Sequence, residues 1–272
     1  MHYVWLFCIF TALGLALRGM DAVKWRPGMV ESVRTNLATA LANNLVSPVI
    51  FASLAGLGQQ VLPKAGLPGI SPQAWDGVPL ALSMLAYIVM RDFADYWLHR
   101  LLHTAPVWPV HAVHHSDTDM NWTSSYRIHL IEGVMMWLST LLMVVLTGIP
   151  PIGALAGFLA FQVYNAFLHT EGDIHFGPLN RIFATPRFHQ WHHAHEPSAY
   201  NTNFANIFSL WDVIFGTYRV PGPCTAKIGF EGTPGHDFIA LLIWPFREWA
   251  GMLSRLRIGQ VRRDPRIAAA TS

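Results

Sequence analysis

Cysteine is almost missing from this chain: Cys8 and Cys224 are the only two in 272 residues, and no C-x2-C pair occurs. That excludes a disulfide scaffold, a thiolate metal site and an iron–sulfur cluster. Charge is equally scarce, with 12% Asp, Glu, Lys and Arg where an ordinary soluble domain carries about 25%. The net charge is only +2, and no basic patch interleaved with aromatics exists, so no nucleic-acid partner is indicated. There is no dinucleotide fingerprint and no C-x2-C-H haem attachment, so the chain has no motif for an electron carrier of its own. Internal repeats are absent beyond a duplicated H-x2-H-H, as are low-complexity tracts.

Apolar side chains are what the sequence has in excess. Hydrophobic residues make up 52% and the mean hydropathy is +0.31, which makes a bilayer the expected solvent. Val4 to Leu17 is short for a span but lacks the basic start and small-residue cleavage site of a signal peptide, so it reads as an uncleaved first helix. Leu37 to Leu57 has no ionisable residue and is long enough to cross the hydrocarbon. Val78 to Met90 is apolar, and its helical pattern continues through Arg91, Asp92 and Asp95 to His103, so a third helix is expected to leave the membrane there. Ile131 to Ile149 and Ile152 to Leu168 are separated by Gly148-Ile149-Pro150-Pro151, which cannot continue a helix and predicts a tight hairpin. Phe238 to Leu253 is interrupted by Pro245, Arg247 and Glu248 and reads as interfacial.

Basic residues orient the bundle. Arg18, Lys24, Arg26 and Arg34 follow the first run, whereas only Lys64 lies between the second and third. The first connection is therefore expected in the cytoplasm, the N-terminus outside, and everything from Arg100 to Leu130 and after Thr170 on the cytoplasmic side.

That side holds the histidines. Eight of the fourteen fall into H-x3-H (His99, His103), H-x2-H-H (His111, His114, His115) and a second H-x2-H-H (His189, His192, His193). Residues three and four apart share a helical face, so each group aims its imidazoles one way, and imidazole is the commonest metal ligand. Pro109 predicts a helix for the second group, and Thr185-Pro186 an N-cap and first turn for a helix running to about Glu196. Eight imidazoles exceed what one ion accepts, so if all bind, two metals are the minimum. His169 at the end of the fifth run is a ninth candidate, with Asn165 one turn before it. Taken alone, His169 reads equally well as a cap on a helix terminus. Neutral imidazoles leave the metal charge uncompensated, so carboxylates are expected nearby to orient the ring N–H groups. Asp92 and Asp95 precede the first pair on the same face, and Asp117, Asp119, Glu132, Glu171 and Asp212 are further candidates. For each of these a solvated charge at the membrane surface is the competing reading.

These residues resemble a family. Asp95-Tyr96-Trp97-x-His99-Arg100-x2-His103, then Trp108-x2-His111-x2-His114-His115-Ser116, Asn121 and Arg127-x-His129 are similar to the fatty acid hydroxylase/sterol desaturase superfamily. Pro186-Arg187-x-His189-x2-His192-His193 and Trp211-Asp212-x2-Phe215-Gly216-Thr217-Tyr218 extend the resemblance over about Asp92 to Tyr218. It implies an all-α, polytopic membrane bundle of about four to five spans with a cytoplasmic helical cap holding a histidine-rich dimetal site. It implies two non-haem irons, O2 as co-substrate, and hydroxylation or desaturation of an unactivated lipid C–H bond, with hydroxylation favoured. Carried over position by position, His99, His103, His111, His114, His115, His189, His192 and His193 would be ligands and His169 the additional one; Asp92, Asp95, Asn165 and Asp212 would support them. Asn165 stands where some relatives have another histidine, and Asn203-Phe204-Ala205 where Asn-Tyr-Gly is common. The implied division is residues 1–90 as N-terminal transmembrane helices, 91–220 as the catalytic region with a transmembrane hairpin, and 221–272 as an interfacial helix and basic tail.

Iron is favoured over zinc, because C–H oxidation needs a metal that changes oxidation state. A membrane lipid is the expected substrate, and a separate ferredoxin or cytochrome with its reductase the expected electron donor. Trp122, Tyr126, Met135, Met136, Trp137, Phe161 and Tyr164 could line a lipid cavity, although such a stripe more often reflects helix packing. Arg181, Arg187, Arg255, Arg257, Arg262, Arg263 and Arg266 could dock an acidic donor, but basic residues there more often meet anionic lipid. Two other classes stay open: a zinc-dependent membrane hydrolase, which leaves most histidines unexplained, and a non-catalytic haem- or metal-binding membrane protein, which needs histidines inside the spans.

Overall fold

A computed structural model describes residues 8–12, 14–16, 27–61 and 70–257. Arg18, Lys24, Arg26, Lys64 and the tail arginines Arg262, Arg263 and Arg266 lie outside the described residues, as do parts of the expected first helix, which is helical at 8–12 and 14–16. The helices are α1 (Met29–Val61), α2 (Leu80–Leu102), α3 (Trp108–His111), α4 (Leu130–Thr147), α5 (Pro151–Leu168), α6 (Pro186–His192), α7 (Leu210–Ile214) and α8 (Phe238–Arg257). 3-10 turns lie in several of the connections, two of them between α3 and α4, and among the described residues the only β-type pairing is one isolated bridge, Ala194 to Ile228.

α4 and α5 are long and apolar enough to cross a membrane. At about 1.5 Å per residue their 18 residues reach roughly 27 Å. Gly148 ends α4 in the left-handed region (φ 60°), and Pro151 opens α5 at its first turn, so the expected hairpin forms where the sequence places it.

α1 and α2 are amphipathic in the inverted sense. Leu37, Leu41, Leu45 and Val49 of α1 face outward, while Ser32, Asn36 and Thr39 are buried. α2 exposes Leu82, Leu85, Phe93, Trp97 and Leu101 and buries Asp92, Asp95 and His99. Apolar outside and polar inside is the arrangement an apolar solvent favours. α1 begins eight residues before the apolar run, because its first turns are stabilised by partners distant in sequence. The Asn36 amide donates to Asp117 (3.0 Å) and Thr123 (2.9 Å), the Thr39 hydroxyl to the Tyr126 carbonyl (2.9 Å), and the Asn43 amide to the Ile128 carbonyl (2.8 Å). Asp117 and Arg127, both fully buried, complete this polar seam at 3.5 Å. Burial pushes the Asp117 carboxyl up, and Arg127 with the Ser124, Ser32 and Asn36 donors more than reverses it, so it stays below the ordinary carboxylate range.

α2 and α5 form the most extensive helix pair. Gly153 and Gly157 bring α5 against Ser83 and Tyr87; a Cβ at Gly157 would come within 2.6 Å of the Tyr87 ring. This small-residue spacing permits close backbone approach in a helix pair. Gly157→Val is expected to cost about 1–3 kcal/mol through overpacking, visible as a lower midpoint in thermal unfolding of the detergent-solubilised protein, whereas Gly172→Ala, in open space but at φ 109°, tests backbone strain alone.

Candidate dimetal centre

Five separate segments deliver histidines to one place. His99 lies in the last turn of α2 and His103 is its C-cap, one turn apart on one face. His111 ends α3, and His114 and His115 sit in a 3-10 turn, so the expected single helix is two short turns in series. His169 caps α5. α6 is nucleated as expected, with Thr185 accepting from the Phe188 N–H (3.3 Å) and Pro186 in the first turn. It stops at His192 rather than near Glu196, because His195 N–H turns to the Lys227 carbonyl (2.7 Å) and Ala194 bridges Ile228.

All nine imidazoles are between 1 and 7% exposed. They form two sets, His99, His103, His111, His115 and His192 in one and His114, His169, His189 and His193 in the other, with the ligand atoms of each set within 4.8 Å of one another. The i, i+4 pairs stay together, and the middle residue of each H-x2-H-H crosses over: His114 joins the His189/His193 set, and His192 joins the His111/His115 set. The two motifs are thereby interlocked.

Ring orientation is set from behind. His99 Nδ1 meets the Phe204 carbonyl at 2.7 Å, His192 Nδ1 the Thr202 carbonyl at 2.8 Å, His169 Nδ1 the Asn165 carbonyl at 2.8 Å, and His111 Nδ1 the Glu132 carboxylate at 2.9 Å. These acceptors assign the proton to Nδ1 and leave Nε2 a lone pair facing inward. His99 Nε2 and His111 Nε2 then face each other at 3.0 Å. Two lone pairs at that distance repel unless a cation lies between them, and two nitrogens about 2.1 Å from one ion would be spaced this way at about 90°. Nε2 of His103, His115 and His192 has no hydrogen-bond partner. In the other set His189 Nε2 lies 3.0 Å from His169 Nε2 and 3.1 Å from His193 Nε2. Burial first, then the neighbouring imidazoles, holds His111, His115, His189 and His193 well below the ordinary histidine range, and burial brings His169 down to about 4. Buried imidazoles that converge in two sets, with burial disfavouring their charged forms, fit two metal ions.

The carboxylates are placed differently from the expectation of direct ring contact. Asp92 accepts from the backbone N–H groups of Asn206, Ile207 and Phe208 (3.2, 2.8 and 2.7 Å) and from the Trp211 indole (3.0 Å). Asp212 accepts from the Phe204 and Ala205 N–H groups (2.8 and 2.9 Å) and the Thr217 hydroxyl (2.6 Å). Together they hold the loop whose Thr202 and Phe204 carbonyls receive imidazole protons, so each acts through backbone. Asp95 pairs with Arg91 at 2.7 Å. Asn165 offers its carbonyl to His169, and Asp117 serves the α1 seam. The direct ring partner among the named carboxylates is Glu132. Asn203 adopts φ 61° and spans the Phe188 and Arg219 backbones, which accounts for asparagine there. The backbone carbonyls of Thr202, Phe204 and Asn165 had no sequence signal as ring partners, since every residue carries one.

Glu132→Ala is expected to weaken metal retention about 10–100-fold, measured by chelator competition, and Glu132→Gln, whose amide oxygen still accepts from His111, to stay closer to the native value.

A small cavity of about 30 Å³ beside His99, His111, His114, His169 and His189 shares Asp95, Ser125, Ile128, Met136, Asn165 and Asn206 with a cavity of about 490 Å³. Of the expected lining residues, Tyr126, Met136, Trp137 and Phe161 border the larger cavity. Tyr164 instead donates to the Ala184 carbonyl (2.7 Å), and Trp122 stacks on Phe10. Arg187 pairs with exposed Asp173 (2.5 Å) and Arg181 lies over Tyr218.

Fold and site together define a helical protein with two candidate membrane spans and a buried polyhistidine centre able to bind metal. The Fatty acid hydroxylase family model matches residues 84–217, and that segment of the chain is similar to the fatty acid hydroxylase family. The chain is 34% identical to the ornithine lipid hydroxylase OlsE of Rhizobium tropici over 184 residues, 64% of this chain and 53% of that protein. It is 32% identical to the alkylglycerol monooxygenase of Homo sapiens over 199 residues, 71% of this chain and 42% of the relative. To a Delta(7)-sterol 5(6)-desaturase of Gibberella zeae it is 27% identical over 165 residues, 60% and 47% respectively. The chain thus spans about half or less of the length of these relatives. No solved structure matches it significantly.

Proposed function

We propose that this chain is an integral membrane, O2-dependent di-iron oxidoreductase that hydroxylates an unactivated C–H bond of a membrane lipid. The observation that carries the reading is the pair of buried imidazole sets, five and four strong, whose ligand atoms converge within 4.8 Å in each set, with Nε2 of His103, His115 and His192 lacking any hydrogen-bond partner. In this reading His99, His103, His111, His115 and His192 hold one iron, and His114, His169, His189 and His193 the other. When bound, the irons supply the activation of O2 that C–H oxidation requires.

The protein's own part is positioning. Phe204, Thr202 and Asn165 carbonyls and Glu132 keep the ring protons on Nδ1, so that each Nε2 stays a donor of electrons. The cavity between α1, α2, α4 and α5, with Ala40, Gly133, Met136, Phe158 and Phe161 in its walls, would bind an alkyl chain and exclude water from it. Its shared border with the small cavity at Met136, Ile128 and Asn206 would bring one carbon to the imidazoles. Relatives whose names specify ornithine lipid, alkylglycerol and sterol support a lipid substrate.

The same reading has four to five spans, the N-terminus outside, the centre on the cytoplasmic side, α8 in the interface, and the division at residues 90 and 220. The outward Ile239, Ile243, Phe246 and Leu253 of α8 support its interfacial placement. Two electrons per turnover would come from a ferredoxin or cytochrome with its reductase.

The test is metal analysis of purified protein joined to lipid mass spectrometry under ¹⁸O2. About two irons per chain and a lipid that gains one labelled oxygen are expected. Loss of two hydrogens without oxygen gain would assign desaturation instead. Tightly bound zinc, with hydrolysis that proceeds equally without O2, would overturn the reading.

A further inference from the structure

The nine imidazoles are divided between two cavities without overlap. His99, His111, His114, His169 and His189 face the small cavity continuous with the lipid-side one, whereas His103, His115, His192 and His193 border a separate cavity of about 390 Å³. That second cavity shares no lining residue with the other two. The histidine cluster is a partition, with one face toward the lipid cavity and one toward a space walled by Trp108, Phe230, Tyr200 and His195.

An oxygenase of the class proposed above must be reduced from outside. Hydroxylation balances as RH + O2 + 2 e⁻ + 2 H⁺ → ROH + H2O, and the two electrons come from two one-electron donor proteins, each oxidised once. If the lipid occupies the first cavity, electrons need another approach, and Trp108 supplies it. Its half-buried indole lies 5.1 Å from the His103 ring, 5.2 Å from His115 and 6.2 Å from His111, three members of the five-histidine set. Phe230 packs edge-on against it at 5.4 Å, and His195 lies 6.5 Å beyond Phe230. The arrangement is held by backbone, since the Phe230 N–H donates to the His115 carbonyl (2.7 Å) and the Gly229 N–H to the His193 carbonyl (3.0 Å). Phe204 also touches His99, His103 and His192, but it is only 1% exposed and lies outside this cavity.

We propose that Trp108 is the electron-entry residue: two reduced donors, one after the other at the mouth of the second cavity, each pass one electron through the Trp108 indole, with Phe230 against it, to the five-histidine iron, and one of the two electrons moves on to the four-histidine iron, so that each iron goes from iron(III) to iron(II). This rests on the di-iron reading. It places reduction and substrate binding on opposite faces of the centre, so a bound lipid does not block the donor.

The experiment uses iron-loaded protein without O2 and follows loss of the iron(III) absorption after mixing with either a reduced [2Fe–2S] ferredoxin or dithionite. For Trp108→Leu, reduction by ferredoxin is expected to slow about tenfold or more while dithionite, small enough to enter the cavity, stays within about twofold. Trp108→Phe, which keeps a ring on the imidazoles, is expected to recover to within about threefold of the native rate. Native ferredoxin rates in Trp108→Leu with both irons present would overturn the proposal, and so would equal slowing by both reductants. If Trp108→Leu loses iron, Phe230→Leu decides: severalfold slower ferredoxin reduction supports the route, and an unchanged rate overturns it. A native chain that binds no iron overturns the di-iron reading and this proposal with it, whereas native iron with Trp108-independent reduction overturns this proposal alone.

Discussion

His114→Ala is expected to empty one metal position and spare the other. His114 belongs by sequence to the group of His111 and His115, yet its ring completes the set formed by His169, His189 and His193. Removing one of four nitrogens weakens that site's hold on its ion, whereas the five-histidine set is untouched. Iron should fall from about two to about one per chain, and lipid oxidation by more than the 10–100-fold that loss of an outer partner costs. His192→Ala is the mirror experiment in the other motif. It takes one of five nitrogens, so more of the second iron should be retained. Metal analysis of both variants, with circular dichroism to confirm intact helices, distinguishes this crossed assignment from one in which each motif serves its own metal. Equal iron loss in both variants would refute the crossing.

Asp92→Ala is expected to prevent accumulation of folded protein. The Asp92 carboxylate is fully buried and receives three backbone N–H groups and the Trp211 indole. Leaving each buried donor unpaired costs about 1–3 kcal/mol, and four of them together approach the 5–15 kcal/mol that holds a typical domain folded. Asp92→Asn should fail nearly as badly. One amide oxygen can keep the Asn206 and Ile207 donors, but the amide NH2 then confronts the Phe208 N–H and Trp211 indole, donor against donor. The check is yield of monodisperse protein in detergent and its thermal midpoint. A well-folded Asp92→Asn variant would show that the loop from Thr202 to Phe208 is held by something other than this carboxylate.

His169 illustrates how far a residue can be read from its neighbours in sequence. Standing alone at a helix end it reads equally as a cap, and in the fold it does cap α5 while its Nε2 lies 3.0 Å from His189. One histidine serves both ends because the Nδ1 side closes the helix turn and the Nε2 side faces inward. Asp92 and Asp212 illustrate the opposite case. Their positions near the histidines were legible, but their partners were not. A carboxylate can accept from an imidazole or from a row of peptide N–H groups, and nothing in the local sequence distinguishes the two.

A candidate span was legible where nearly every side chain of the helix is apolar, as in α4 and α5. It was harder to read in α1, whose first turns carry Ser32, Asn36, Thr39 and Asn43 and look like a polar approach to a span. Those residues are one stripe of a continuous helix, satisfied by Asp117, Thr123, Tyr126 and Ile128 from nearly ninety residues away.

By itself the sequence determined the chemistry on offer. Histidine spacing, the near absence of cysteine and the apolar runs depend only on side-chain type and helical periodicity, which are local, so the polyhistidine centre, the hairpin at Gly148 and the family were readable without coordinates. Only the tertiary structure decided which imidazole belongs to which set, which groups receive the ring protons, and that the cluster divides two cavities. Those outcomes depend on where α2, α5, α6 and the loop after Thr202 cross in space, and contacts between such distant segments are fixed by packing rather than by spacing along the chain.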